Sequence, residues 1–570
     1  MNNQYQSSKT CEKQFFHENH CNFILTILTQ TVFSIVGIAI SFLMMITIES
    51  IEYTDHHRIV IAGILFGTII VMYIIFGFLQ KTFRNRYLKQ GLSQFKRYIF
   101  QKILGKSIRE FGSATAGKII NAFSNDLSSI ETNYLNGTLQ IIQQMIMFIV
   151  GVGAMYYINP ILATCVIAAC IIPIAFSMLF GRRLGQKERK TSDEGEGFVD
   201  QIKDLLGGFI LIKSFKAEKE ILNLFDQQNF SLEEAKRDRR DTNDTISLTS
   251  TFSSILVIGL IFTIGLYLAY QDIISIGGII AFVELSHYAT GPVEKMIPLW
   301  TNRKASITLI HKVEEMIEGS HESDQKFEIR TIDHNISMEN VSFAYENGKE
   351  VLDKVNLTFE QGKSYAIVGG SGCGKSTLIQ LLLGYYSEYN GKILYDGNEL
   401  SDISLDSLYD VVSVISQNVF LFDSTIRNNI TMFKDFDEDR IEEAIRLAGL
   451  TNFIQEKGMD YECGEGGKNL SGGEKQRISI ARCLLRKTPV IIMDEATAAL
   501  DNKTAFEVEE AILNLNHLTK IVVTHKSNRE ILKKYDEIIV LRNGDITEQG
   551  KFEDLMKARN YFYSLYHITA

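Results

Sequence analysis

Residues 364–377 read SYAIVGGSGCGKST, and this stretch decides the fold of the second half of the chain. Ser364 to Gly369 is a short β-rich run, and from Gly369 onward the chain matches G-x-x-x-x-G-K-[ST] at Gly369, Gly374, Lys375 and Ser376. A strand that ends in a glycine-rich turn and passes into a helix lets backbone N–H groups approach phosphate oxygens, with the positive helix end behind them. Lys375 is placed to reach the outer phosphates, and the Ser376 hydroxyl to ligate magnesium. A glycine-rich turn without a ligand is the competing reading, and it explains little of this pattern.

Further along, residues 489–501 read PVIIMDEATAALD. Val490 to Met493 fit a buried strand, and the strand ends in two carboxylates. Asp494 suits magnesium, and Glu495 suits a base that orients an attacking water. The alternative is that the two form a helix N-cap pair.

Working outward, a chain of 570 residues is too long for one ordinary domain. Its first 300 residues hold nearly every long apolar run, while the rest alternates short apolar runs with charged and glycine-containing stretches. The net charge of -10 argues against a nucleic-acid partner. Cys11, Cys21, Cys165, Cys170, Cys373, Cys463 and Cys483 are scattered without metal-ligand spacing and read as reduced, isolated thiols.

Apolar stretches run over residues 23–48, 59–79, 139–158, 161–180, 252–270 and 273 to about 300. A bilayer core needs about 20 apolar residues per helix, so each can span it. The first apolar run is far longer than that of a cleavable signal peptide. Between spans two and three lie Lys81, Arg84, Arg86, Lys89, Lys96, Arg97, Lys102, Lys106 and Arg109, and after span four lie Arg182, Arg183, Lys187, Arg189 and Lys190. The opposite loops are short and acidic or neutral, so the basic loops and both termini are expected on the cytoplasmic side of the cell membrane. The two long polar segments read as helical continuations of the spans. Phe111, Gly112 and Gly117 mark a break in one, Gly207 and Gly208 in the other; each is either an ordinary turn or a short helix presented to a soluble domain.

Read together, GGSGCGKST, Gln417 in VISQNVFLFD, LSGGE at Leu470 to Glu474, MDEATAALD and His525 in IVVTHK resemble the ordered motif set of the ATP-binding cassette family. With six spans ahead of one cassette, the chain resembles an exporter-type half-transporter over essentially all of residues 20–570. The fold class implied is multidomain: an all-α six-helix transmembrane domain followed by an α/β P-loop NTPase cassette. The segments expected are a cytoplasmic N-terminal stretch (1–22), the transmembrane domain (23–300), a charged linker (301–335) and the cassette (336–570).

The resemblance implies an ATPase coupled to transport, with ATP and Mg2+ as cofactors. ATP is expected on Gly369, Gly370, Ser371, Gly372, Cys373, Gly374, Lys375, Ser376 and Thr377, with Tyr345 stacking on adenine. Magnesium is expected on Ser376, Gln417 and Asp494, with Glu495 as base and His525 contacting the γ-phosphate. Ser471, Gly472, Gly473 and Glu474 are expected to complete the partner subunit's site, and Asp501 to lie in the loop that crosses the dimer. It also raises the coupling-helix reading of the glycine-marked breaks. The family usually has glutamine where this chain has Glu474, and the carboxylate is expected to point away from nucleotide. Cys373 reads as a small filler within the P-loop.

The partners implied are a second half-transporter, identical or different, the lipid bilayer, and a small-molecule, lipid or peptide cargo. About 20 polar residues precede the first span, so a cysteine-peptidase domain ahead of it is not expected. The function expected is export of a lipophilic or peptidic compound by a dimer alternating between inward- and outward-open states; import of a chelate-type compound on the same fold and a cassette-gated channel or receptor are the alternatives weighed. Within span six, Glu284 and His287 share one helical face in an apolar segment; they are either a buried structural pair or part of the cargo path.

Overall fold

The computed structural model describes residues 12–52, 56–106, 108, 111, 113–318, 327–345, 348–497, 499–516, 518–524 and 528–569. The chain forms two compact units, Met1–Gly319 and Ser320–Ala570.

The first unit is helical: α1 (His20–Glu52), α2 (His56–Leu104), α3 (Asn136–Ile158), α4 (Pro160–Ala169), α5 (Ile171–Gly207), α6 (Glu218–Tyr270) and α7 (Ile276–Ile317). Among the described residues four runs are each long and apolar enough to cross a membrane: His20–Ile51, His56–Leu104, Gly117–Ile158 and Glu218–Tyr270. The other two expected spans are helical as well, but the fourth is divided at Cys170 between α4 and α5, and the sixth carries Glu284 and His287 within α7. In the most apolar window of α2 only 6% of residues are buried within the protein, so Ile, Val and Phe side chains of this helix face outward, as they do against lipid. Exposed Tyr156, Tyr157, Tyr267 and Tyr270 gather at the ends of α3 and α6, the placement of aromatic side chains at a membrane–water interface.

The turn between α3 and α4 depends on two residues. Asn159 is extended, and its side chain accepts hydrogen bonds from the N–H groups of Ile161 and Leu162 at 3.0 and 3.1 Å. Pro160 then opens α4 at a position whose N–H has no intrahelical partner.

The long polar segments are helical, with α5 and α6 extending far beyond their apolar parts. After Gly207 and Gly208 the chain forms a short helix, Phe209–Phe215, none of whose residues is buried in its own unit. At the other marked break the structure shows a helix over Ser113–Asn121, while Gly112 lies outside the described residues. The expected linker differs in its first part: Thr301 to Ile317 are the last turns of α7. Ile310, Val313 and Ile317 recur at helical spacing and are buried, so this charged stretch is an amphipathic helix end.

The second unit carries β1 (Asn335–Ala344), β2 (Glu350–Glu360), β3 (Ser364–Gly369), β4 (Asn390–Tyr395), β5 (Asn398–Glu399), β6 (Val412–Ile415), β7 (Val490–Asp494), β8 (Thr519–Val523), β9 (Glu537–Arg542) and β10 (Asp545–Gly550). One sheet has the order β2-β1-β4-β5, the other β10-β9-β3-β8-β7-β6. In the larger sheet β6, β7, β8, β3 and β9 are parallel and β10 is an antiparallel edge. All six residues of β3 are buried, because a central parallel strand is covered on both faces; Ala366 to Val368 are apolar, and the one short polar side chain, Ser364, donates its hydroxyl to the Asp536 carboxylate at 2.8 Å.

Candidate functional site: the nucleotide cradle of the cassette

Register places the site at the C-terminal ends of the parallel strands. Asp494 pairs with Val523, and Val523 pairs with Ile367, so β7 and β3 end on the same side, with the P-loop leaving β3 two residues later. Helix α8 (Lys375–Leu382) begins directly after Gly374. Gly374 has φ +106°, and a Cβ on it would lie 2.8 Å from Leu352 and 3.0 Å from the Val351 carbonyl oxygen. At Gly369 a Cβ would come within 2.3 Å of the Leu541 carbonyl oxygen. The glycines of the motif therefore let the loop pass against β2 and β9 at a distance no other residue permits.

Lys375 is buried, and its ammonium donates to the carbonyls of Gly369 and Gly370 at 3.0 Å each, so the positive charge sits inside the loop. Cys373 is buried against the smaller-sheet side of the core, 4.0 Å from Lys375 Nζ, and fills space there. Tyr345 lies beside the first turn of α8: its hydroxyl is 2.9 Å from Thr377 Oγ1, and its ring meets Phe343 and Tyr386 edge-on.

On the opposite side of the cradle, Gln417 comes just after β6 and its side-chain amide donates to Glu495 Oε2 at 2.9 Å. Glu495 is in the left-handed region, φ +51°, and its N–H donates to the Val523 carbonyl at 3.1 Å. That conformation turns the chain after Asp494. Asp494 and Glu495 do not form the N-cap pair weighed from the sequence; the cap of α10 (Asn502–Leu513) is Asp501, which accepts from the Thr504 N–H at 3.0 Å. Hydrogen bonding to Thr504 holds the Asp501 carboxyl below its ordinary value. His525 lies outside the described residues.

The LSGGE segment opens α9 (Gly472–Arg486) with Ser471 as N-cap. Glu474 reaches back, its Oε2 accepting from the Ser471 N–H at 2.7 Å, and Ser471 Oγ accepts from the Glu474 N–H at 3.4 Å. This closes a reciprocal capping box, which a glutamine at the same position also closes. Ser471 and Gly472 are exposed at the helix start.

Over residues 352–498 the sequence matches the family description ABC transporter, and over 23–293 the description ABC transporter transmembrane region. The chain belongs to the ABC transporter family. The two matches lie in the order transmembrane region, then ATP-binding domain, in one chain, and the activity that goes with this is transport-coupled ATP hydrolysis at a membrane. An ATP-dependent lipid A-core flippase of Syntrophus aciditrophicus is 28% identical, with 88% of this chain and 84% of the relative covered. A putative multidrug export ATP-binding/permease protein of Staphylococcus aureus is 29% identical, with 90% of each covered. The solved structure of a bacterial Atm1-family ABC exporter with ATP bound superposes with a TM-score of 0.85 at 21% identity, covering 96% of this chain and 99% of that one, and shares its fold.

In this ABC transporter the structure adds residues to the site that motif reading did not single out. Gln476 is buried in α9 and accepts from the Ala499 N–H at 3.0 Å, tying α9 to the turn after β7. Thr497, in the same turn, donates to the Glu509 carboxylate at 2.5 Å. The signal for Glu509 lay in the sequence: Ala505, Val508 and Ile512 form the buried stripe of α10, and a carboxylate sits on it.

Proposed function

We propose that the chain is one half of a dimeric exporter that moves a lipophilic or peptidic compound across the cell membrane, with two ATP sites each built from both subunits. The observation that carries this is the pairing of Gln417 with Glu495 at the strand ends where the P-loop leaves β3, with the N-cap serine Ser471 of the LSGGE segment exposed elsewhere on the same cassette. A P-loop holds nucleotide from one side only. An exposed helix start with two glycines, offered by a second subunit, supplies N–H donors and a positive helix end for the terminal phosphate.

In this reading Lys375 releases the Gly369 and Gly370 carbonyls to hold the outer phosphates, Tyr345 stacks on the base, and Glu495 orients the attacking water. Ser376, Gln417 and Asp494 offer only oxygen donors, which suits magnesium, an ion that neutralises phosphate charge when bound. ATP binding favours the closed cassette pair, and hydrolysis removes that preference; this differential affinity shifts the membrane helices between inward- and outward-open states. The short helix Phe209–Phe215, with Phe209, Ile210, Leu211 and Phe215 exposed, is the coupling helix of this scheme. Both termini are assigned to the cytoplasm by the basic loops.

The names of the flippase and the multidrug export relative support outward movement of an amphiphile. Inside-out vesicles carrying the protein are expected to accumulate a fluorescent lipid or lipophilic dye when given magnesium and ATP, and right-side-out vesicles are not. Accumulation only in the right-side-out orientation establishes import instead.

A further inference from the structure

Glu509 is 6% exposed and Thr497 is 5% exposed, and the Thr497 hydroxyl donates to Glu509 Oε1 at 2.5 Å. A carboxylate withdrawn from water is kept only where its hydrogen bonds hold it, and a neutral hydrophobe on this stripe of α10 packs without that demand. Tyr535 adjoins the same group, and burial together with the Glu509 charge holds its phenol far above the ordinary value, so it stays neutral.

Thr497 is two residues beyond Glu495, which carries a left-handed backbone that side chains other than glycine rarely adopt. Such a conformation persists where its surroundings over-determine it. Here the Glu495 N–H is bonded to Val523, its carboxylate to Gln417, and the Thr497 carbonyl accepts from the Leu500 N–H at 3.2 Å. The Thr497 side chain adds the anchor to α10.

From this geometry we infer that Glu509 is a positioning residue for ATP hydrolysis, holding through the Thr497 hydroxyl the turn that aims the Glu495 carboxylate. The inference rests on the reading of Glu495 as the group that orients water. Glu509 touches no substrate in this scheme; it fixes where Glu495 points, and small misplacements of a positioned group cost rate far more than they cost binding.

The test compares purified full-length protein bearing Thr497→Val, Thr497→Ser, Glu509→Met, Glu509→Gln and the double change Thr497→Val with Glu509→Met, with turnover expressed per mole of bound ATP so that unfolded protein is not counted. Thr497→Val and Glu509→Met are each expected to lower kcat by about tenfold or more with KM for ATP changed less than about twofold. Thr497→Ser and Glu509→Gln, which keep a donor and an acceptor, stay within about threefold of wild type, and the double change is no worse than either single one. Normal kcat in Thr497→Val, equal impairment in Thr497→Ser, or single effects that multiply in the double overturns the proposal. If Glu509→Met does not fold, the Thr497→Val and Thr497→Ser pair decides alone. Glu495→Gln is measured alongside: normal turnover there removes the underlying reading of Glu495, whereas an inactive Glu495→Gln beside a normal Thr497→Val removes only the role of Glu509.

Discussion

The Gln417 side-chain amide donates to Glu495 Oε2 at 2.9 Å, so two segments separated by 78 positions in sequence meet at the end of β7. Glu495 is thereby held in a defined direction although its backbone is left-handed. Glu495→Gln keeps the size of the side chain and removes its basicity, while Lys375 and the P-loop backbone are untouched. Turnover is expected to fall by at least about 100-fold, as when a positioned base is lost. ATP binding, measured by equilibrium titration with a fluorescent analogue, stays near wild type. Phosphate release close to the wild-type rate disproves the assignment.

The Glu474 side chain is committed to the Ser471 N–H, and this decides the consequence of a glutamine there. Glu474→Gln retains the reciprocal cap, so the ATP concentration for half-maximal hydrolysis and the melting temperature are both expected to change little. Glu474→Ala removes one arm of the capping box and is expected to cost about 1 kcal/mol, read as a lower melting temperature. A marked tightening for ATP in Glu474→Gln shows instead that the carboxylate repels phosphate in the assembled site.

Much of the cassette is legible in the sequence because its chemistry is local along the chain. SYAIVGGSGCGKST carries strand, turn and helix start in 14 residues, and φ and Cβ spacing at Gly374 and Gly369 explain why those positions hold glycine. Strand β7 is marked by four consecutive apolar residues. The ties made across elements are not legible: Gln476 to Ala499, Thr497 to Glu509, and the Tyr345 hydroxyl beside Thr377. None leaves a spacing signature, because each joins groups on separate elements. The expected linker fails at its start for a related reason: Arg303, Lys304, Lys312 and Glu314 read as solvated chain, while Ile310, Val313 and Ile317 bury one face of a helix.

The cysteines give an independent test of packing in the cassette. Burial pushes the Cys483 thiol up to about 12 and raises that of Cys463, whereas Cys21 is exposed. A thiolate is the reactive species, so at pH 8 a maleimide is expected to label Cys21 in the native protein and Cys483 only after denaturation. Because the Cys483 value is raised in the folded state, its contribution to stability is complete below the free-thiol range. It declines as pH rises from about 9 towards 12. Rapid native labelling of Cys483 contradicts this packing.

Glu284 and His287 of α7 lie three residues apart, yet the structure separates their surroundings. Phe282, Leu285, Ser286 and Ala289 form the buried stripe of the helix; Glu284 is half-buried and His287 exposed on the other side. Among the described residues no hydrogen bond or ion pair joins the two, which weakens the reading of them as a closed structural pair. Tyr288, one turn beyond Glu284, packs against α1 and α3: a Cβ on Gly151 would lie 2.6 Å from Tyr288 Cβ, and one on Gly37 would lie 3.0 Å from its hydroxyl. The Glu284 face is thus near the junction of three helices. An acidic side chain in contact with lipid there costs about 2.5 to 3.5 kcal/mol on insertion scales, so a polar, protein-lined or water-lined setting is favoured. Glu284→Gln retains shape and hydrogen bonding and removes charge. If this face lines the cargo path, transport and cargo-stimulated ATPase fall while basal ATPase and melting temperature stay near wild type, and a neutral cargo is affected less than a cationic one. A lower melting temperature with cargo stimulation intact in the folded fraction assigns Glu284 to structure alone.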